Sequence, residues 1–350
     1  MFFLTLLAFL LILSLLVFVH ELGHFTMAKL SGVKVEEFAF GFQPKLFCKK
    51  YGETKYCINA IPFGGYVKML GEEKSSESER SFSSKKARYR LAIVVAGVLM
   101  NFILAGILLS IGFMIGTTPI RLDPEKLGGH KESEVIIAEI KADSAAQKAD
   151  LRQGDIVVGF TDASEFSNFT HLSSGKIVQI EILREGSTIS KNIQLSSNED
   201  GPLGAAIADV SKVKLPFFKA IAAGFKDATL TTWYIVGLLW GFITHIFVPG
   251  EVGKNIAGPV KIFNITGEAV QMGIGYLIQF AALLSINVGL VNILPLPALD
   301  GGRAVFILAE GIARRKIIKS EIENVLHMVG FIVLMVLIAA ITLREIIALL

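Results

Sequence analysis

Residues 2–19, FFLTLLAFLLILSLLVFV, run directly into HELGH at 20–24. Between Phe2 and Val19 the only polar residues are Thr5 and Ser14, so a helix here is apolar on every face. Crossing about 30 Å of hydrocarbon takes roughly 20 such residues. The chain therefore opens with a membrane helix, yet His20, Glu21 and His24 stand at its end. Ionisable side chains at membrane depth are costly and mark function.

Composition supports a membrane protein. Of 350 residues, 52% are hydrophobic and 19% charged, too apolar for a water-soluble domain of this length. Three more segments, Leu91–Ile115, Tyr276–Leu296 and Val325–Leu343, are long and apolar enough to span. No basic residue precedes the first apolar core and no small-residue cleavage site follows it, so it reads as a retained helix, not a signal peptide. A net charge of +3 gives no reason to expect a nucleic-acid partner. Cys48 and Cys57 are too few for a disulfide scaffold and lack CxxC spacing, so they read as ordinary residues.

Basic residues orient the chain. Lys29 to Arg90 carries thirteen and Arg303–His327 carries five, including Arg314, Arg315 and Lys316, which marks both as cytoplasmic. The N-terminus and residues 117–216 are then external. A further apolar segment, 221–247, would reverse the side of 303–327 if it spanned. Lys219, Lys226 and Asp227 near its start and Trp233 and Trp240 within it favour a helix lying at the interface. The expected organisation is 1–116, two spans with a β-rich connection at 35–69; 117–216, an external domain; 217–275, an interfacial helix and connector; and 276–350, the last two spans.

Between Glu134 and Ser196, short alternating runs such as EVIIAEI and GKIVQIEILREG read as strands. SAAQKADLRQGDIVVGF at 144–160 resembles the core of bacterial PDZ domains, which implies a peptide ligand added to a sheet edge. A β-domain that only occludes another surface is the alternative.

In a helix, His20 and His24 share one face, so two imidazoles can reach one metal ion with Glu21 beside them as a general base. Zinc lowers the pKa of its bound water to about 7. A hydrolytic zinc needs a third ligand. A metzincin completion fails, because Met27 and Leu30 stand where Gly and His are required, and Glu36 and Glu37 follow too closely. The best distant candidate is Asp300 in NVGLVNILPLPALDGGR, 287–303. Pro295 and Pro297 break the third span near Leu294, leaving Asp300 on irregular backbone, with Gly301-Gly302 allowing a sharp turn. A helix-capping role for Asp300 is the plain alternative. Gly23 inside the helix suggests close approach by another segment.

HELGH, IPFGGYVKMLGE at 61–72, the PDZ-like insert, AGPVKIF at 257–263 and NILPLPALDGG at 292–302 form an ordered set. Together they resemble the site-2 protease family of intramembrane metalloproteases, closely the bacterial regulator-of-sigma-E protease type. The resemblance covers essentially the whole chain. It implies a zinc endopeptidase of the bacterial inner membrane that cuts transmembrane segments of single-span proteins, such as a pre-trimmed anti-sigma factor or remnant signal peptides. It also implies His20, His24 and Asp300 as zinc ligands, Glu21 as catalytic base, and Asn287, Asn292, Pro295 and Pro297 in substrate handling. Two departures stand out: there is space for one PDZ module where many members carry two, and GFQP occupies 41–44 where GFGP is often seen.

VEEFAF, KLFCKKYG, TKYCINA and YVKML within 35–70 read as short strands with turns at Gly41, Gly52 and Gly64-Gly65. Such a hairpin, dipping toward the metal as the family's re-entrant β-loop does, can pair an unwound substrate, with Gly64 and Gly65 on the binding edge. A hairpin that merely packs on the bundle is the alternative. Residues 71–86, GEEKSSESERSFSSKK, read as a solvated linker. The expected fold is a multi-pass α-helical membrane protein with four transmembrane helices, a membrane-re-entrant β-hairpin region and one inserted α+β PDZ-like domain. A membrane-tethered PDZ adaptor with a vestigial metal site and a metal transporter are the rival functions.

Overall fold

A computed structural model describes residues 1–72, 76–184, 187–197, 201–245, 257–315 and 320–349. In chain order, α1 (Phe2–Leu30) leads into β1 (Val35–Tyr51), β2 (Thr54–Met69) and α2 (Ala87–Ile115). Then come α3 (Pro124–Leu127), β3 (His130–Ile140), α4 (Ala145–Lys148), β4 (Ile156–Val157), α5 (Ala163–Leu172), β5 (Ile177–Arg184), β6 (Ser187–Gln194) and β7 (Ala205–Lys214). The chain closes with α6 (Phe217–His245), α7 (Pro259–Met272), α8 (Ile274–Asn292), α9 (Asp300–Ala313) and α10 (Ser320–Leu349). These form two compact units: Met1–Gly106 with Thr231–Asn264 and Ala281–Leu350, and Ile107–Leu230 with Ile265–Phe280.

Among the described residues, four helices are long and apolar enough to cross a membrane: Phe2–Leu30, Ala87–Ile115, Ile274–Asn292 and Val325–Ala348. These are the four segments the sequence singles out. On α1, Phe3, Leu7, Leu11 and Leu15 form an exposed stripe at helical spacing. The opposite stripe, Ala8, Ile12, Leu16 and His20, is buried. Lipid is as apolar as leucine, so packing rather than water exclusion decides which stripe turns inward. The small Ala8, Gly23 and Ala28 lie on the buried side and let other segments come close.

In the first unit, β1 and β2 are each continuous but doubled back. Residues 37–40 pair on one side with 55–58 and on the other with 65–68, while 45–51 pair with 54–59. Four short segments therefore lie side by side in the order 45–51, 54–59, 37–40, 65–68, within two continuous strands. Gly41 and Gly64 hold positive φ, 82° and 86°, where the strands bend. The GFQP departure contains a cis Gln43–Pro44 bond. Cys48 and Cys57 are cross-strand partners and form a disulfide, which corrects their reading as ordinary residues. Both are equidistant from the Gly52–Glu53 turn, so the hairpin register brings them together. Val35, Val67 and Met69 anchor this sheet on Ala28, Ile93 and Ile307.

The second unit holds a five-stranded antiparallel sheet in the order β6-β5-β4-β3-β7. Alternation on β5 buries Val178, Ile180 and Ile182 against Ile137, Phe166 and Ile193. Ser144 caps α4 and Asp162 caps α5. Arg184 forks onto Asp155 with contacts of 2.7 and 2.6 Å.

On α6, Lys219, Lys226, Trp233 and Trp240 are exposed. Asp227 is not. It is fully buried and accepts hydrogen bonds from the backbone N–H groups of Ile120, Arg121 and Leu122 at 2.8, 2.8 and 3.1 Å. Its charge is spent fastening a loop, which corrects its reading as part of a polar flank. Residues 246–247 of the interfacial segment, Lys316 of the basic run and residues 73–75 of the linker lie outside the described residues.

Candidate metal centre

The buried stripe of α1 carries His20 and His24 into the first unit, where they are 7% and 9% exposed. Their Nε2 atoms lie 3.1 Å apart. Asp300 Oδ2 is 3.0 Å from His20 Nε2 and 3.2 Å from His24 Nε2. These are ion-pair distances, yet no N–H lines up on Oδ2, which is buried without a hydrogen-bond partner. A buried carboxylate oxygen left without a hydrogen bond between two imidazole nitrogens is a costly arrangement unless a cation sits among them. Zinc bonds of 2.0–2.2 Å at tetrahedral angles separate donor atoms by roughly 3.3 Å, close to the triangle seen. The donor set, two imidazoles and a carboxylate, also suits zinc.

The imidazoles are held from behind. His24 Nδ1 lies 2.8 Å from the Ile93 carbonyl on α2, so Nδ1–H donates there and Nε2 is bare for a ligand. Room for both rings comes from Gly97: a Cβ at that position would meet His24 Nε2 at 2.4 Å and His20 Cε1 at 2.9 Å. Fully buried Asn101, one turn further along α2, lies 3.4 Å from His20 Nδ1.

The third member arrives through the proline break. α8 ends at Asn292, as Pro295 and Pro297 require. Asp300 does not lie on irregular backbone, however; it is the first residue of α9. Nor do Gly301 and Gly302 make a turn. A Cβ on Gly301 would come within 2.2 Å of the Ile293 and Leu294 carbonyls, and one on Gly302 within 2.4 Å of the Leu296 carbonyl. The glycines let α9 start directly against the break, and the positive φ falls on Ala298, at 84°. His327 of α10 fixes that point by accepting the Ala298 N–H at 3.0 Å.

A cavity of about 490 Å³ opens beside the triad. Its walls include Glu21, Gly64, Gly65, Asn292 and Arg303 as well as the three ligand candidates. A Cβ on Gly65 would lie 3.4 Å from Glu21 Cγ, so the 65–68 segment runs past the carboxyl side chain of HELGH. Asn287, Pro295 and Pro297 are not on the cavity. The Asn287 amide donates to Leu283 of its own helix at 3.0 Å, and Pro297 packs on Gly330.

Sequence reasoning missed Gly97, Asn101, His327 and the ion pair of Arg303 with Glu72. Asn101 carried a usable signal, since an amide within an apolar span marks a polar contact. The others depend on which helices meet and had none.

The model of peptidase family M50 matches residues 8–337. A Clostridium perfringens protein with a provisional zinc metalloprotease name is 36% identical over 342 residues, covering 95% of this chain and 96% of the relative. A similarly named Fusobacterium nucleatum protein is 33% identical, covering 95% and 96%. Zinc metalloprotease RasP of Geobacillus kaustophilus is 28% identical, covering 98% and 97%. With a family match over nearly its whole length, this chain belongs to peptidase family M50, the site-2 type, and is a zinc-dependent metalloprotease of the membrane.

Proposed function

We propose that this chain is an intramembrane endopeptidase that cleaves transmembrane segments of single-span membrane proteins, with His20, His24 and Asp300 holding zinc and Glu21 as general base. One observation carries the reading: three donor atoms within 3.2 Å of one another, fixed between apolar helices, with the HELGH glutamate on the wall of the same cavity.

Zinc, when bound, supplies a Lewis acid that polarises water and the scissile carbonyl. Glu21 takes a proton from the attacking water as its oxygen bonds to the carbonyl carbon. As the C–N bond breaks, Glu21 returns that proton to the leaving amine nitrogen. The buried helical surroundings limit water to what the cavity admits.

A peptide bond within a helix is shielded by its own hydrogen-bond ladder, so the substrate must unwind locally. Freed backbone groups then need partners, because unpaired ones in hydrocarbon are costly. Among the described residues, the 65–68 segment has one strand partner, 37–40, and it borders the cavity. Its other edge, where the Val67 backbone N–H donates to Glu21, suits a substrate strand added beside the base, with Gly64 and Gly65 allowing close approach and Asn292 holding a substrate carbonyl. Asn287, Pro295 and Pro297 would act indirectly, by shaping the end of α8 and the break. The β-domain within 117–216 would bind a peptide in PDZ fashion outside the membrane. The basic residues of 29–90 support a cytoplasmic side for that connection in a bacterial inner membrane. Substrates of this class include a pre-trimmed anti-sigma factor and remnant signal peptides.

The test is reconstitution in lipid with single-span peptides, measuring zinc content and cut positions. Wild type should hold about one zinc and cut within the apolar segment, and Glu21→Gln should keep the metal and lose cleavage. A folded wild-type protein that takes up no zinc, or cleavage that survives Glu21→Gln, overturns the reading.

A further inference from the structure

We infer that Asn101 is a positioning residue of the metal centre: its side-chain carbonyl accepts a hydrogen bond from His20 Nδ1–H and so presents a bare Nε2 to zinc. The inference rests on the zinc reading of the triad.

His20 turns Nε2 toward His24 and Asp300, so Nε2 is the metal-facing atom. A neutral imidazole that uses Nε2 as ligand carries its proton on Nδ1. At this depth that N–H needs an acceptor, since His20 is only 7% exposed. The group in reach is the Asn101 amide, whose nitrogen lies 3.4 Å from Nδ1. Its other end, Oδ1, is buried without any hydrogen-bond partner. An amide oriented that way donates to Nδ1, which would force the proton onto Nε2 and block the ligand atom. A half-turn about the last side-chain bond exchanges nitrogen and oxygen almost isosterically. It sets the orphaned oxygen opposite Nδ1–H.

Two further relationships support the assignment. His24 already has this arrangement, with Nδ1 on the Ile93 carbonyl at 2.8 Å, so α2 would supply one carbonyl to each histidine. Asn101 is also held in place: it is fully buried, and its backbone carbonyl accepts Ser285 Oγ–H at 2.8 Å. Gly97, one turn earlier, makes the space into which both rings fit. The Gly97-x-x-x-Asn101 pair thus shapes the back of the site, one residue by absence and the other by acceptance.

Zinc affinity, measured by chelator competition on the purified full-length protein, separates the roles. Asn101→Leu keeps the branched outline and heavy-atom count in a larger volume but has no acceptor, and should loosen zinc about 10–100-fold. Asn101→Asp offers an acceptor in either orientation and should bind zinc as tightly as wild type or more so. Equal affinity in wild type and Asn101→Leu overturns the inference, as does equal loss in both variants, which would mark a packing role. If Asn101→Leu does not fold, Asn101→Asp decides: retention supports acceptance, and loss overturns it. Nitrogen-15 histidine spectra of the zinc-loaded protein give a second readout, a His20 Nδ1 proton that shifts in Asn101→Asp; its absence overturns the assignment. A wild-type protein without zinc would sink the zinc reading, whereas zinc-loaded wild type beside an indifferent leucine variant sinks only this one.

Discussion

Gly23 of α1 stands against the carbonyl oxygen of Ala96 on α2, so near that an added Cβ would lie 2.4 Å from that oxygen and 2.9 Å from Gly97 Cα. The obstacle is backbone on a packed helix, so it cannot swing aside. Gly23→Ala must therefore push α1 and α2 apart at the point where His20 and His24 flank the contact. Overpacking of this kind costs about 1–3 kcal/mol. The expected result is a lower thermal midpoint together with less zinc per chain. Wild-type values for both in purified Gly23→Ala would show that the helices do not meet there.

That contact shows how far the sequence could be read. A glycine inside an apolar helix has a cost and called for a close neighbour, and the pairing of HELGH with a distant LDGG pointed to a shared ion. Both inferences needed only local chemistry. What surrounds them did not: Ile93 and Gly97 look like routine members of an apolar helix until α2 is laid against α1, and Asn101 signals a polar contact without naming its partner. Gly301-Gly302 looked like a turn because paired glycines usually are one. Their use for close approach appears only once the Ile293, Leu294 and Leu296 carbonyls are in place. The four short strand segments were visible in the alternating residues, but their lateral order depends on long-range pairing. The Cys48–Cys57 bond could have been found by counting outward from the Gly52–Glu53 turn.

Arg303 and Glu72 form an ion pair joining α9 to the end of the β2 arm, and both side chains reach the cavity. Each is partly buried, with 29% and 15% of the side chain exposed, so removing one partner strands the other in poor solvent. Arg303→Met should destabilise by about 1–3 kcal/mol, less than for a fully buried pair. Adding Glu72→Gln should restore part of that loss. A thermal double-mutant cycle reads the coupling, and strictly additive effects would mean the pair contributes nothing.

In the second unit, the Asp150 carboxyl is pulled down to about 2, first by its hydrogen bond to Lys191, against a small desolvation effect, with Lys191, Arg152 and Arg184 adding to the pull. Its folded pKa lies below the unfolded value of about 3.9. The stabilisation is therefore present above pH ~4 and is lost as pH falls toward ~2. Because the side chain is 59% exposed, solvent and salt screen most of the effect. Lys191→Met should flatten stability across that window, and 1 M salt should do much the same to wild type. An acid limb identical in wild type and Lys191→Met would rule the pair out.

Asn292 and Asn287 sit on one helix, five residues apart, and the structure gives them different surroundings. Asn292 ends α8 and lines the cavity, whereas the Asn287 amide is already satisfied by Leu283 within the helix. A side-chain hydrogen bond to a substrate carbonyl is worth about 1–1.5 kcal/mol, or roughly 5–10-fold in kcat/KM. Asn292→Ala should lose that much while zinc content and thermal stability stay at wild-type values. Asn287→Ala frees an amide that contacts only its own helix and should change kcat/KM by less than about twofold, within the scatter of surface substitutions. The comparison is made with one peptide, under conditions where rate is proportional to substrate. If Asn287→Ala proves the more damaging, the substrate must approach along the face of α8 that carries Asn287, and the 65–68 edge loses its claim to bind it.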